Sequence, residues 1–350
     1  MMNDRQYILE HIRKHPAVQP QDIVKLCYQA AYGAEHLLSD PDAAREYLER
    51  EYTAVEAADI DLYENISEDV CRVNLAAWKA RQLPQQWLFR MFAASARIKS
   101  NGRDLFSDYL ETAGKIIAEG KVGFSTADWQ AYLAGYRAAG MTAVHHSVQY
   151  RECESPSYRI VDRQYIRLLP ILERVLSKLR GDRTFVIAID GRAAAGKSTM
   201  ARQLSMILDA AIIQMDDFFL PEKLRTQERL DTPGGNVHRE RFCEEVLPHI
   251  SSSRPFSYRI FDCGKMDYDG ERVIDSTPIR IVEGAYSCHP LFGKYADITV
   301  FVDVEPEEQM RRILRRNGEQ MADLFRERWI PLEENYFKYY AVQKNADVQM

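Results

Sequence analysis

The sequence predicts an α/β fold: a parallel sheet with helices on both faces, preceded by a mostly α-helical N-terminal domain. Three observations carry this expectation. Residues 1–180 repeat a helical spacing of apolar side chains. Beyond residue 183, short β-branched runs alternate with helical patterns. A glycine-rich loop stands between the first of those runs and the helix after it. Strands alternating with helices imply crossover units and a parallel sheet. A chain of 350 residues is long enough for two domains, each with its own core.

In the first half, 4–14 places apolar residues at helical spacing and stops before Pro16. Pro20 opens a second helix with Ile23, Val24, Leu26, Cys27 and Ala30 in one stripe. The stretches 41–52, 84–97, 102–119 and 125–139 repeat the style, and 59–74 is ambiguous, with a short strand pair as one reading. The polar run 145–158 contains Pro156 and has no clean period, which predicts an ordered loop. An apolar helix is expected over 161–179, ended by a glycine turn at 180–182, so the domain boundary falls at residue 180. Two clusters stand out in this half, Tyr32-Gly33-Ala34-Glu35-His36 and His145-His146-Ser147-Val148-Gln149-Tyr150-Arg151. Paired histidines with Glu35 suit a metal or a phosphate, but such histidines are more often capping or interface residues. In the second half, the runs 184–190, 210–214, 279–284 and 298–304 read as strands buried on both faces.

Composition excludes several classes. Apolar residues at 46% and charged residues at 28% rule out a mainly disordered or fibrous chain. No apolar run is long enough to span a bilayer, and residues 1–16 lack the apolar core of a signal peptide. A membrane is therefore not an expected partner. The net charge is −6, and acids outnumber bases in both halves, which argues against nucleic acid as a partner. The six cysteines, Cys27, Cys71, Cys153, Cys243, Cys263 and Cys288, form no CxxC pair. That spacing predicts neither a disulfide framework nor a zinc site, and places the chain in a reducing cytoplasm.

Chemistry concentrates in Gly191-Arg192-Ala193-Ala194-Ala195-Gly196-Lys197-Ser198, which fits GxxxxGK[ST] between a strand and a helix. Such a loop points successive N–H groups at phosphate oxygens, and its glycines allow close approach. ATP and Mg²⁺ are the expected cofactors. Gly191, Ala193, Ala194, Ala195, Gly196, Lys197, Ser198 and Thr199 form the expected cradle. Lys197 would meet the β/γ-phosphates and Ser198 the Mg²⁺.

Ligands of open α/β sheets bind outside the carboxyl ends of the strands. Two strands run there into acids, Asp216-Asp217 and Glu283. Phosphoryl transfer needs a carboxylate near the metal and another to accept the proton of the attacking hydroxyl. Asp216 is the expected base and a further metal contact, Glu283 the metal carboxylate, and Asp217 the reserve for either role. Helix capping is the competing explanation for such aspartates. A helix after Pro306 carries Arg311, Arg312, Arg315 and Arg316. Arginines on a lid stabilise charge on a transferring phosphoryl group; Arg312 and Arg315 are the candidates. Solvated bases at a helix C-terminus are the alternative.

Residues 183–349 resemble the uridine kinase and nicotinamide riboside kinase group of P-loop kinases. The resemblance rests on IDGRAAAGKST, QMDDFFLPEK, IRIVEGAY, RRILRR and RWIPLEENYFKYY, in that order. It implies a parallel sheet of about five strands with a small lid, Asp216 activating an acceptor hydroxyl, and Glu283 as the glutamate of the VEG element. The arginine-rich lid departs from the group's pattern: Arg316-Asn317-Gly318 is followed only later by Arg326 and Arg328, and the last strand is a stub over 346–350. The acceptor region 229–269 offers Tyr258, Arg259 and Asp262, with His238 and Arg241 nearby. The reading is a uridine kinase-like ATP-dependent phosphotransferase that acts on a small, nucleoside-like hydroxyl acceptor. The competing reading is an ATP-dependent switch whose helical half binds a protein or RNA. A kinase of nucleic-acid ends is disfavoured by the acidic balance. Assembly into a homo-oligomer is left open.

Overall fold

Short β-branched runs set the frame of both halves. In the computed structural model, which describes residues 3–38, 40–98, 102–181 and 183–350, Tyr63–Asn65 (β1), Val70–Asn74 (β2) and Tyr158–Asp162 (β3) form an antiparallel sheet in that order. The stretch 59–74, ambiguous in the sequence, contains its first two strands. Helices Asp4–Lys14, Pro20–Tyr32, Pro41–Ala54, Gln85–Ser95, Gly102–Ala118 and Thr126–Ala138 lie where the apolar spacing puts them.

Two expectations in this half give way. The run 145–158 is not a loop, because it contains helix Val148–Glu154. Ser147 caps that helix by accepting from Tyr150 N at 3.1 Å, and Ser155 ends it in the left-handed region at φ 43°. The single helix expected over 161–179 is broken instead. Residues 158–162 pair with β2, setting Val161 against Cys71 and Arg159 against Val73. Helices Arg163–Ile166 and Leu169–Lys178 follow. Apolar spacing alone could not distinguish a buried strand from a buried helix turn, and cross-strand pairing decides the outcome.

The chain divides into two units, Met1–Arg167 and Leu168–Met350, where the sequence sets its boundary at residue 180. Helix Leu169–Lys178 groups with the second unit for a packing reason. It buries Ile171, Leu172 and Val175, and Lys178 Nζ donates to Asp297 O at 2.8 Å and to Asp347 at 3.0 Å. Residue 182, in the expected glycine turn, lies outside the described residues.

The second unit is built on strands Phe185–Gly191 (β4), Ala210–Gln214 (β5), Ile279–Glu283 (β8), Ile298–Val302 (β9) and Val348–Gln349 (β10). They run parallel in the order β10-β9-β4-β8-β5, with helices on both faces. A separate antiparallel hairpin, Phe256–Asp262 (β6) and Asp267–Ile274 (β7), lies between β5 and β8 in the chain. β4 is buried along its whole length, as a central parallel strand must be. Val186, Ile213, Phe218, Val282, Phe301 and Tyr336 share one core, each worth about 1.5–3 kcal/mol when fully buried. The sheet therefore fixes where the loop after β4 opens. Among the described residues, no helix is long and apolar enough to cross a membrane.

Candidate active site

The loop after β4 owes its path to glycine. Gly191 has φ +137°, and a Cβ there would lie 2.1 Å from Val302 O on the neighbouring strand. Gly196, at φ +107°, forms the entry to helix Lys197–Leu208. Between them Lys197 Nζ folds back to donate to Gly191 O at 2.6 Å and Arg192 O at 2.9 Å. This leaves an ammonium above backbone N–H groups at a helix N-terminus, a combination that attracts anions.

A cavity of about 850 Å³ opens over the loop. Ala193, Ala194, Gly196, Lys197, Ser198 and Thr199 line it from the loop and helix; Asp216 and Glu283 line it from the strand ends; Arg312 and Arg315 line it from helix Pro306–Asn317. Gly191 and Ala195 belong to the loop without lining the cavity. Ser198 Oγ donates to Glu283 Oε2 at 3.1 Å, so the hydroxyl and carboxylate expected near a metal are already adjacent. Burial and the nearby Asp216 raise the Glu283 carboxyl above its usual range, while Ser198 and Lys197 oppose the rise.

The neighbouring aspartates have different surroundings. Asp217 is buried, accepting from Tyr258 Oη at 2.9 Å and from Arg272 Nε at 2.8 Å. Asp216 lies in the cavity and still reaches water. Desolvation by the cleft and the adjacent Asp217 raise its carboxyl, and Lys197 and Arg316 draw it back.

The five residues expected at the acceptor do not line the cavity. Tyr258 is 2% exposed and serves Asp217. Arg241 is equally buried and binds Glu245 and Asp217 O. Arg259 is exposed and pairs with the same Glu245 at 2.9 Å. Asp262 accepts from Gly264 N at 2.6 Å in the hairpin turn. His238 caps helix Arg239–Glu245, accepting from Arg241 N at 3.4 Å. The arginines of the expected lid also divide. Arg312 donates to Ala194 O at 3.2 Å, tying its helix to the loop, and Arg316 lines the cavity. Arg311 pairs with Glu308, Arg326 with Asp323 at 2.7 Å, and Arg328 lies over the Trp329 ring.

Sequence reasoning missed three residues that shape the loop. Asp190 is fully buried and accepts from Gly191 N at 2.8 Å, Cys288 N at 3.0 Å, Tyr286 N at 3.2 Å and Tyr336 Oη at 2.9 Å. Glu333, on helix Ile330–Tyr339, accepts from Ala193 N at 2.9 Å. Burial pushes its carboxyl up to about 7, against the pull of Lys197. Arg192 ties the loop to Glu334 at 2.6 Å and to Asp303. An acid ending an otherwise apolar strand signals Asp190. Glu333 stands three and four residues before Tyr336 and Phe337, a spacing that places all three on one helix face.

A pantothenate kinase of Lacticaseibacillus casei (strain BL23) is 30% identical over 201 residues, covering 50% of this chain and 62% of that protein. A pantothenate kinase of Vibrio cholerae is 23% identical over 211 residues, covering 51% and 63%. A solved structure described as "a Possible Uridine Kinase from Bacillus stearothermophilus" aligns at a TM-score of 0.42 and 18% identity, over 54% of this chain and 98% of that one. No family model matches the chain. The chain thus spans less than two thirds of the length of these curated relatives. The glycine cradle and the acids at the strand ends form a site of the kind P-loop kinases use. About half of the chain is similar to the pantothenate kinases.

Proposed function

We propose that the chain is an ATP-dependent kinase that moves the γ-phosphate to a hydroxyl of a small acceptor. The observation that carries this is the convergence of Lys197, Ser198, Glu283 and Asp216 on one cavity. Backbone N–H groups of 194 and 196–198 would hold the triphosphate, and Lys197 would follow charge onto the transferring group. Ser198 and Glu283, an all-oxygen pair, fit Mg²⁺, which would neutralise phosphate charge. Asp216 would accept the acceptor's proton, while Arg312 and Arg315 stabilise the equatorial oxygens.

Pantothenate is the first acceptor to test, because the relatives bear its name; nucleosides follow from the resemblance read in the motifs. The five polar residues around the β6–β7 hairpin support the cavity wall in this proposal rather than touch the acceptor. Six cysteines without a disulfide support a cytoplasmic setting, and the acidic balance supports small molecules over nucleic acid as partners. The test measures ADP release with pantothenate, nucleosides and sugars in turn. Release that depends on one of them supports the kinase. ATP hydrolysis indifferent to every acceptor would favour a nucleotide switch.

A further inference from the structure

The unit Met1–Arg167 contains a cavity of about 650 Å³ of its own. Its floor is a chain of polar groups with little access to water. Asp22 accepts from Ser147 N at 3.0 Å and Ser147 Oγ at 2.6 Å, and bonds His146 Nδ1 at 2.9 Å. His146 Nε2 meets Tyr158 Oη at 2.7 Å. Gln29 Oε1 accepts from Arg72 Nε at 3.0 Å and Nη2 at 2.7 Å, and the Arg72 guanidinium lies 4.7 Å from the Tyr158 ring centre. Burying so many polar and charged groups costs stability, and cores seldom keep them without a use.

The wall above this floor is cationic. Arg159 is 8% exposed and lines the cavity. Its Nη1 pairs with Glu51 at 2.7 Å, but its Nη2 is buried with no hydrogen-bond partner among the described residues. Lys25 donates to Val144 O at 2.9 Å. Among the described residues, neither Lys25 nor Arg151 has an ion pair. Burial lowers the Lys25 ammonium to about 8, which leaves it mainly charged at neutral pH. The two carboxylates on the lining are already engaged: Glu51 by Arg159 and Ser157, and Asp40 as the cap of helix Pro41–Ala54. Tyr47, 57% exposed, lines the cavity with its ring centre 5.3 Å from the Arg159 guanidinium.

We propose that this cavity is a second small-molecule site that takes a phosphate monoester, with Arg159, Lys25 and Arg151 as its anion-binding groups. A buried guanidinium N–H without an acceptor is costly, and a phosphate oxygen supplies one. Two cations without an ion pair match a dianion better than a single carboxylate. The His145-His146-Ser147 run, which the kinase chemistry does not use, finds its place here. Ser147 and His146 fix the floor through Asp22, and His145 stands on the lining.

The test uses the full chain carrying Lys197→Ala, so that the P-loop contributes little and its own failure is read separately. Ribose 5-phosphate, inorganic phosphate, ribose and succinate are titrated by calorimetry. The two phosphates bind, ribose does not, and succinate binds more weakly. Arg159→Gln and Lys25→Gln each weaken ribose 5-phosphate by about tenfold or more, with an unchanged far-UV spectrum. Should Arg159→Gln fail to fold, Lys25→Gln and Arg151→Gln decide. The proposal is overturned if neither phosphate binds up to about 10 mM, if the substitutions leave binding unchanged, or if succinate binds more tightly than phosphate.

Discussion

At the end of β4 the groups proposed to hold phosphate are backbone N–H groups of one loop and side chains within a few residues of three strand ends. In the helical unit the polar floor and cationic wall come from positions 22, 25, 29, 72, 146, 158 and 159, spread over one helix, a loop and two strands. A cradle made of backbone imposes a demand on conformation, and only glycine meets it at 191, where a Cβ would strike Val302 O. A cavity made of side chains imposes no such demand. It requires that distant residues meet, and spacing along the chain does not record this.

Substitutions can test that contrast. The largest effect is expected from Lys197→Ala, which removes phosphoryl transfer by a factor of about 10²–10³ or more. Its circular dichroism and melting should match the parent, because Lys197 contacts loop carbonyls rather than core. A folded and fully active variant would falsify the P-loop assignment.

Next comes the aspartate pair. Asp216→Asn should lower kcat by about 10²–10⁴ with little change in ATP affinity. Asp217→Asn should act mainly on stability, since Tyr258 and Arg272 lose a charged partner, at about 1–3 kcal/mol in urea unfolding. Loss of turnover in the Asp217 variant alone would reverse the two roles.

Glu333 gives a smaller, pH-dependent effect. Its ordinary value of 4.5 rises to about 7 on folding. The protonated form is favoured in the folded chain, so its contribution is complete below about 4.5 and is lost as pH rises through about 7. Phosphates beside the loop would raise the carboxyl further. ATP binding near pH 7 should then take up a proton, detected by calorimetry in buffers of different ionisation enthalpy. Glu333→Gln should abolish that uptake.

The smallest effect belongs to the helical unit. Burial lowers His146 from 6.5 to about 4. The neutral ring is favoured on folding, so its contribution is present above about 6.5 and fades as pH falls through about 4. His146→Gln should flatten part of the acid limb of a melting-temperature profile. Part remains, because His11 is lowered to about 4 in the same way. An unchanged acid limb would show that His146 is as free in the folded chain as in the unfolded one.

The sheet and the loop were legible because parallel strands must be apolar on both faces and the cradle must contain glycine. The hairpin was not. β6 alternates, and nothing in FSYRIFD tells which alternate faces the cavity, so Tyr258 reads as a ligand contact although it turns inward to Asp217. Arg241 misleads in the same way, since its partners Glu245 and Asp217 O are known only once the chain has folded. The helix expected over 161–179 failed because Val161 and Arg159 found partners on β2, ninety and eighty-six positions earlier in the chain.

The bond from Tyr336 to Asp190 has a consequence for how the protein is made. Asp190 orders Gly191, and it is itself held by a hydroxyl that the ribosome adds 146 residues later. Glu333 and Glu334 reach back to Ala193 and Arg192 over a similar span. A nascent chain that has already formed β4 and the helix after it therefore carries an unfinished loop. The bonds that hold the loop are complete only once the helix Ile330–Tyr339 has been made, so under the proposed function nucleotide binding reports on a completed domain and not on a growing one.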